Sequence, residues 1–320
     1  MNRGRSGGGG VTYSTSPVAS SLEARRFKME ELEQSTRHFD ESNLIGYGTF
    51  GLVFKGFLSD GTIVAIKRRN GPPQREFSEE VAYLSRIRHR NLVTLIGYCQ
   101  DRGSLMLVFE YLPNGSIRSH LHDSKTKLEF KQRLSISIGA AKGLSHLHGL
   151  QPPVVHGNFQ TGNVLVDENF IAKVADTGVS KLIAKIDGSS SSPSSSHDVF
   201  RDPELGPHEA ASHESNDVYS FGVFLLELVS GREVKDEVPI HILHQVRRSD
   251  LVGGSSFTEE GMRWVMGLIQ KCTVFPGSER PRMENVAMEL EEILESEITR
   301  TTVMGEGTTT VTLGSQLFTN

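Results

Sequence analysis

The chain has 320 residues, 37% hydrophobic and 23% charged, a balance that suits one globular unit of two lobes with frayed ends and excludes a fibrous or wholly disordered chain. A net charge of −5 and a pI near 6.2, with no long Lys/Arg stripe, leave no electrostatic footprint for nucleic acid. Cys99 and Cys272 lie far apart without metal-type spacing, and the most apolar stretch, 221–229, is broken by Glu227 and falls far short of the roughly 20 residues a membrane span needs.

Residues 1–26 open with two arginines and a run from Gly7 to Gly10, then continue Ser-rich without a hydrophobic period, which predicts a disordered leader. No apolar segment resembling a signal peptide opens the chain, and Asn2 stands where N-myristoylation needs glycine. The expected location is the cytosol, with peripheral attachment to a membrane left open. From Phe27 onward, Met29, Leu32, Ser35 and Phe39 fall near helical spacing and predict a short amphipathic packing helix.

The segment 44–53 contains Gly46, Gly48 and Gly51 in a G-x-G-x-x-G pattern, which alone fits either a dinucleotide-binding turn or a flexible loop. A dinucleotide fold requires a helix next. Here 52–58 is strand-like, Ser59-Asp60-Gly61 is a hairpin turn, and 62–66 is β-branched and apolar, so the glycines sit in a flap of sheet suited to covering phosphates. The second hairpin strand ends in Val64-Ala65-Ile66-Lys67, which fixes one ammonium relative to the loop. After Pro72-Pro73, Phe77, Val81, Leu84 and Ile87 form one helix face over 74–87; Glu76, Glu79 and Glu80 are rivals on spacing for a carboxylate turned toward Lys67. Strands are predicted at 92–98 and 105–109, a hinge at 110–115, and a buried helix over 133–147.

Two further segments carry chemistry: 155–163, which reads Val-His-Gly-Asn-Phe-Gln-Thr-Gly-Asn, and Ala175-Asp176-Thr177-Gly178. With the glycine loop, Val53, Lys67, Glu80, Asn163, Asp176, Gly178, Pro203-Glu204, the run 217–222 and Arg280-Pro281, the chain resembles a protein kinase domain in order and spacing. The wording at 39–44, Arg90-Asn91-Leu92-Val93 and 111–116 is similar to the plant receptor-like kinase group, specifically its cytoplasmic members without a receptor portion. The resemblance covers about residues 27–297. It implies an α+β, bilobal protein kinase fold with a small β-rich N-lobe at about 44–112 and a mainly helical C-lobe at about 113–297; a Thr/Gly/Ser tail, 298–320, carries no core pattern.

The resemblance also implies ATP in the cleft, with nucleotide contacts from Ile45, Gly46, Gly48, Gly51, Val53, Ala65, Lys67, Glu80, Phe109, Glu110, Leu112, Asn163, Leu165 and Asp176. It selects Glu80 as the partner of Lys67. Asn163 and Asp176 are the expected Mg²⁺ ligands, oxygen donors suited to a hard cation. What departs is the reaction centre. Active relatives have an aspartate where Asn158 stands and a lysine where Gln160 stands; an amide is too weakly basic to accept a proton, and a neutral side chain cannot steady a transferring phosphoryl group. Gly157 replaces an arginine that grips an activation-loop phosphate, and Thr177 replaces an apolar plug, which is expected to loosen the helix carrying Glu80. His197, Val199 and Phe200 replace residues that seat the substrate chain.

Asp217 resembles the carboxylate that holds the catalytic-loop backbone, and Glu204 with Arg280 resembles a buried ion pair. His146 and His148 point to different helix faces; His241 and His244 have ligand spacing but no carboxylate or cysteine beside them, so no metal is expected at either. The serines of 189–196 read as a mobile, solvated linker. The resulting expectation is a pseudokinase that holds ATP-Mg²⁺ and acts by contact with an active kinase or receptor. The alternative is a weakly active serine/threonine kinase.

Overall fold

The strand-like segments 52–57 and 63–70 pair as a hairpin, and the second of them lies in the middle of one six-stranded sheet. The computed structural model describes residues 24–122, 128–188, 198–206, 209–234 and 258–303. Strands β1 (Arg25–Arg26), β2 (Leu44–Tyr47), β3 (Leu52–Phe57), β4 (Ile63–Asn70), β5 (Leu95–Asp101) and β6 (Ser104–Glu110) lie in the order β1-β5-β6-β4-β3-β2. The predicted turn closes the β3–β4 hairpin: Leu58 N–H donates to Thr62 O at 2.9 Å, and Gly61 takes the positive φ that the tight turn requires. Register sets Val53 opposite Lys67 and Ala65 opposite Phe109.

The sheet is extended by β1, which lies within the segment read as a leader and pairs in parallel with β5. The approach is so close that a Cβ at Gly97 would stand 2.0 Å from the carbonyl oxygen of Arg25. Helix α1 (Met29–Ser35) buries the face expected of it: Met29 and Leu32 join Phe27 against Leu58, Val64, Ile66, Met106 and Val108. Burial of such side chains contributes about 1.5–3 kcal/mol each, enough to hold a helix too short to persist alone. Helix α2 (Arg75–Leu84) begins after the two prolines and buries Phe77, Glu80, Val81 and Leu84. It stops before Ile87, where the chain tightens into an Ile87 N–H to Leu84 O bond.

The second lobe contains α3 (Ile117–His122), α4 (Phe130–His148), the small hairpin β7 (Val164–Val166) and β8 (Ala172–Val174), α5 (Val179–Asp187), α6 (Glu214–Ser230), α7 (Glu259–Thr273) and α8 (Met283–Val303). Helix α8 runs beyond residue 298, where the tail was expected to begin. Helix α6 is apolar nearly all round and is accordingly buried from Asn216 to Ser230. It forms the axis on which Phe159 packs against Phe221 and Phe224, with ring centroids 5.8 and 5.2 Å away. The strand expected from residue 92 starts only at Leu95; Leu92 bridges to Val174, and Val93 N–H donates to Val174 O at 2.9 Å, tying the lobes together.

The expected Glu204–Arg280 pair is present, as the outer part of a larger network. Arg280 reaches Glu204 at 3.5 Å, but its buried bidentate partner is Asp202, whose second oxygen also accepts from Asn216 Nδ2 at 2.8 Å. Glu204 instead turns outward to accept from Gly277 N–H at 2.5 Å. Burial opposes ionisation of Asp202, yet the Arg280 and Asn216 bonds hold its carboxyl below the usual range. His146 stacks on His89 while His148 bonds to Asp217, so the two do face apart; His241 and His244 lie outside the described residues. Among the described residues no cluster of three or more potential metal ligands occurs, and no helix is long and apolar enough to cross a membrane.

Candidate functional site

The loop 156–163 is held by backbone-directed bonds from residues buried beneath it. Asp217 accepts from His156 N–H at 2.7 Å, Gly157 N–H at 2.9 Å and His148 Nε2 at 2.9 Å, which is the role expected of that carboxylate. His156, fully buried, donates Nε2–H to Ala175 O at 2.7 Å and accepts Asn158 N–H at Nδ1, so one imidazole joins this loop to the segment of Asp176. Thr161 donates its hydroxyl to Glu227 at 2.8 Å. Gly157 has φ +71°, a conformation that side chains rarely adopt.

Within this frame, Asn158 and Gln160 form a neutral pair: Gln160 Nε2 donates to Asn158 Oδ1 at 3.1 Å. Arg118 Nη2 in turn donates to Gln160 Oε1 at 3.3 Å. Asn163 spends Nδ2 on the Asn158 carbonyl at 2.8 Å, which leaves its Oδ1 for another partner. Asp176 follows β8 at φ +63°, is 5% exposed and carries the second oxygen donor.

Lys67 and Asp176 are brought together, but Lys67 and Glu80 are not. The Lys67 ammonium is ion-paired directly to Asp176 Oδ1, with its Nζ 5.7 Å from the Phe109 ring centroid. Glu80 is held by Lys185 at Oε2 and by Lys181 at 3.8 Å from Oε1. The expected Lys67–Glu80 pair is therefore replaced, and α5 is the cause. Val179, Leu182 and Ile183 bury one face of that helix with Phe77, Val81 and Leu84 of α2, while its other face presents the two lysines. Arg69 clamps the far end of α5 through both oxygens of Asp187, at 2.6 and 2.8 Å.

Sequence reasoning missed α5, Lys181 and Lys185. The signal was present: Val179, Leu182, Ile183 and Ile186 fall at 3- and 4-residue steps between Gly178 and Gly188, both of which cap the helix in the left-handed region. Small Thr177 and Gly178 let α2 settle onto this turn, since a Cβ on Gly178 would lie 2.4 Å from Leu84 Cδ2. Thr177 Oγ1 is buried without a hydrogen bond. The helix expected to be loosened is instead repacked against its new neighbour. The serines of 189–196, with His197, lie outside the described residues; Phe200 is buried and its carbonyl accepts the Ser220 hydroxyl at 2.7 Å.

The remaining candidates frame the cleft from above and behind. Ile45 and Gly46 lie on β2, Gly48 and Gly51 bond to each other across the turn at 2.9 and 3.1 Å, and Val53 follows Leu52 at the start of β3. Phe50, between these glycines, is folded inward and stacks on Phe77 of α2. Ala65, Phe109, Leu112 and Leu165 share one apolar cluster. Glu110 turns away to Thr94 N–H at 2.7 Å and Lys173 Nζ at 2.9 Å; burial opposes its ionisation, but the Lys173 ammonium and the Thr94 bond overcome it and hold the carboxyl below its usual range.

Against known proteins, the model of the family described as protein tyrosine and serine/threonine kinase matches residues 39–290. The chain is 38% identical to receptor-like protein kinase THESEUS 1 of Arabidopsis thaliana over 316 residues, covering 92% of this chain and 37% of that protein. It is likewise 38% identical to receptor-like protein kinase HERK 1 of the same plant over 311 residues, covering 89% and 37%. The chain thus spans little more than a third of the length of these relatives. Among solved structures it is similar to the pseudokinase domain of BIR2, an immune regulator of the RLK/Pelle family, with TM-score 0.71, 28% identity, and 84% and 87% of the two chains covered. A second, apo pseudokinase gives TM-score 0.65 and 27% identity over 85% of this chain and 97% of that one.

Proposed function

This chain belongs to the protein tyrosine and serine/threonine kinase family, and we propose that within it the protein is a pseudokinase: a nucleotide-binding module that signals by contact with an active kinase or receptor and transfers phosphate negligibly. The neutral pair of Asn158 and Gln160 carries this reading. A positioned base is worth roughly 10²–10⁴ in rate, and a cation at the transferring group adds electrostatic stabilisation that two amides do not supply. Similarity to two solved pseudokinases supports it. The module is placed in the cytoplasm, the side on which receptors present their kinase domains.

ATP with Mg²⁺ fits the residues present. Asn163 Oδ1 and the Asp176 carboxylate are hard oxygen donors. These two residues would hold the metal, with Lys67 toward the phosphates and Ala65, Phe109, Leu112 and Leu165 toward the base. Bound, the nucleotide offers a γ-phosphoryl group, and no side chain at position 158 takes a hydroxyl proton in exchange. Retention of Lys67, Asn163 and Asp176 favours a second reading, a weakly active serine/threonine kinase.

Titration with ATP-Mg²⁺ well past millimolar, read by thermal shift and by radiolabelled phosphotransfer, separates the two. A concentration-dependent shift without transfer is the expected result. Transfer at an ordinary kinase rate, abolished in Asp176→Ala, overturns the pseudokinase reading, and equal transfer in native protein and Lys67→Met ends the weak-kinase one.

A further inference from the structure

The turn that follows α2 carries arginine at every second position: Arg86, Arg88 and Arg90 are exposed, while Ile87 and His89 between them are partly buried. None of the three guanidiniums makes a hydrogen bond or ion pair among the described residues. The turn lies directly on α4. A Cβ at Gly143 would stand 2.7 Å from Asn91 O, and His89 stacks on His146 with ring centroids 4.7 Å apart. Burial, and after it the charges of His146, Arg90 and Lys142, push the His89 imidazole down from its ordinary range, so cations crowd this side of α4.

The opposite sign begins one side chain away. Lys142, one turn from His146 on α4, is ion-paired to Glu291 of α8. Along α8, Glu284, Met288, Glu291 and Glu295 recur at four- and three-residue steps on one exposed face, with Glu292 beside them. Glu284, Glu292 and Glu295 make no ion pair among the described residues, and Met288 is 49% exposed in their midst. An acidic peptide or an anionic bilayer would satisfy the arginines but be repelled by the carboxylates next to them. A surface that carries both signs satisfies both, and a two-fold axis lying between the two stripes sets each against its opposite on a second molecule.

We propose that this face pairs two copies of the chain in an isologous dimer, with Arg86, Arg88 and Arg90 of each copy on the α8 carboxylates of the other and Met288 inside the contact. The face uses none of the residues assigned to nucleotide or metal, so it does not rest on the pseudokinase reading. Its charges are exposed, and the association therefore weakens as salt rises.

Sedimentation velocity of the purified full chain over a concentration series reads the association. Native protein dimerises reversibly at low salt. Arg86→Glu/Arg88→Glu and Glu292→Arg/Glu295→Arg each weaken the dimer by about tenfold or more, because like charges then face each other on both sides of the axis. Mixed in equal amounts, the two variants pair with each other at near-native strength, since each reversed arginine meets a reversed glutamate and each native one a native partner. If circular dichroism shows either reversal unfolded, the milder Arg86→Gln/Arg88→Gln, which must weaken the dimer, takes its place. Native protein that stays monomeric at about 100 μM in low salt, a dimer indifferent to salt or to these substitutions, or a mixture of folded reversals that fails to associate each overturns the proposal. Monomeric native protein that binds phosphatidylserine vesicles, and loses them in Arg86→Glu/Arg88→Glu, overturns it likewise and gives the arginines to a membrane surface.

Discussion

Glu80 of α2 is ion-paired to Lys185 of α5, a helix that begins three residues after Asp176, so the carboxylate expected to serve Lys67 serves its competitor. Glu80 is 6% exposed while Lys185 is about half exposed; the carboxylate is the member whose partner cannot simply be water. The arrangement is a choice between two ammonium partners for one buried carboxylate. Lys67, released from Glu80, takes Asp176.

Removing the competing cations tests that choice. In Lys181→Ala/Lys185→Ala, Glu80 loses both its cations and is expected to compete with Asp176 for Lys67. ATP-Mg²⁺ affinity is expected to rise on the order of fivefold, the lower end of ordinary coupling between linked equilibria. Isothermal titration of native and double-variant protein checks it; unchanged affinity would show that α5 packing alone, through Leu182 and Ile183, sets the position of α2.

The reaction centre offers a gain-of-function test. Asn158→Asp with Gln160→Lys places a base and a cation on a loop whose backbone is already fixed by His156, Thr161 and Asp217. Single-turnover phosphotransfer is expected to rise by roughly 10²-fold or more over native protein. The single changes give less than their product suggests, because groups that act as a unit are not additive. No rise in the double variant would place the block at Glu80 and α5 instead.

How far the residues announced this site varies with the distance between partners. The β3–β4 hairpin was legible because Ser59-Asp60-Gly61 and the apolar, β-branched stretches around it are local, and α1 because its apolar positions repeat within one turn. Asp217 and Asn163 were legible through family spacing. The partner of Glu80 was not, since Lys67, Lys181 and Lys185 are all plausible on charge and only tertiary packing of α5 against α2 selects among them. The same holds for Arg280, where Asp202 and Glu204 are two residues apart and only burial tells which carboxylate faces inward.

Glu227 sets a pH dependence. Burial pushes its carboxyl up from the usual range, against the opposing bonds from Val234 N–H at 2.9 Å and the Thr161 hydroxyl. A carboxyl whose folded pKa is raised binds its proton more tightly folded than unfolded, so its contribution to stability is full below the ordinary glutamate range and is lost as pH rises through the folded value. Glu227→Gln carries no such charge, and its amide can still accept from Val234 while donating to Thr161 Oγ1. The variant is expected to melt above native protein at pH 8, with the gap closing toward pH 4; differential scanning fluorimetry across that window reads it. A gap that stays constant with pH would mean that folding does not raise the Glu227 carboxyl at all.

Arg133 supplies the last prediction, and it concerns the axis on which the reaction-centre loop rests. The side chain is 3% exposed in α4 and donates to Leu128 O at 2.8 Å, to Leu228 O, and to Val229 O at 3.5 Å. Leu228 and Val229 belong to the last turn of α6, where carbonyls lack helical partners and a cation meets the negative end of the helix dipole. Burial pulls the guanidinium down to about 10, so it remains charged at neutral pH. Arg133→Met keeps the length and removes the donors, leaving buried carbonyls unmet at about 1–3 kcal/mol each. A loss of roughly 2–4 kcal/mol in urea unfolding is expected, and Arg133→Lys should recover little of it, because one ammonium cannot span carbonyls that a planar fork reaches from two sides. Full recovery by lysine would show that charge alone, rather than the geometry of the fork, secures the end of α6.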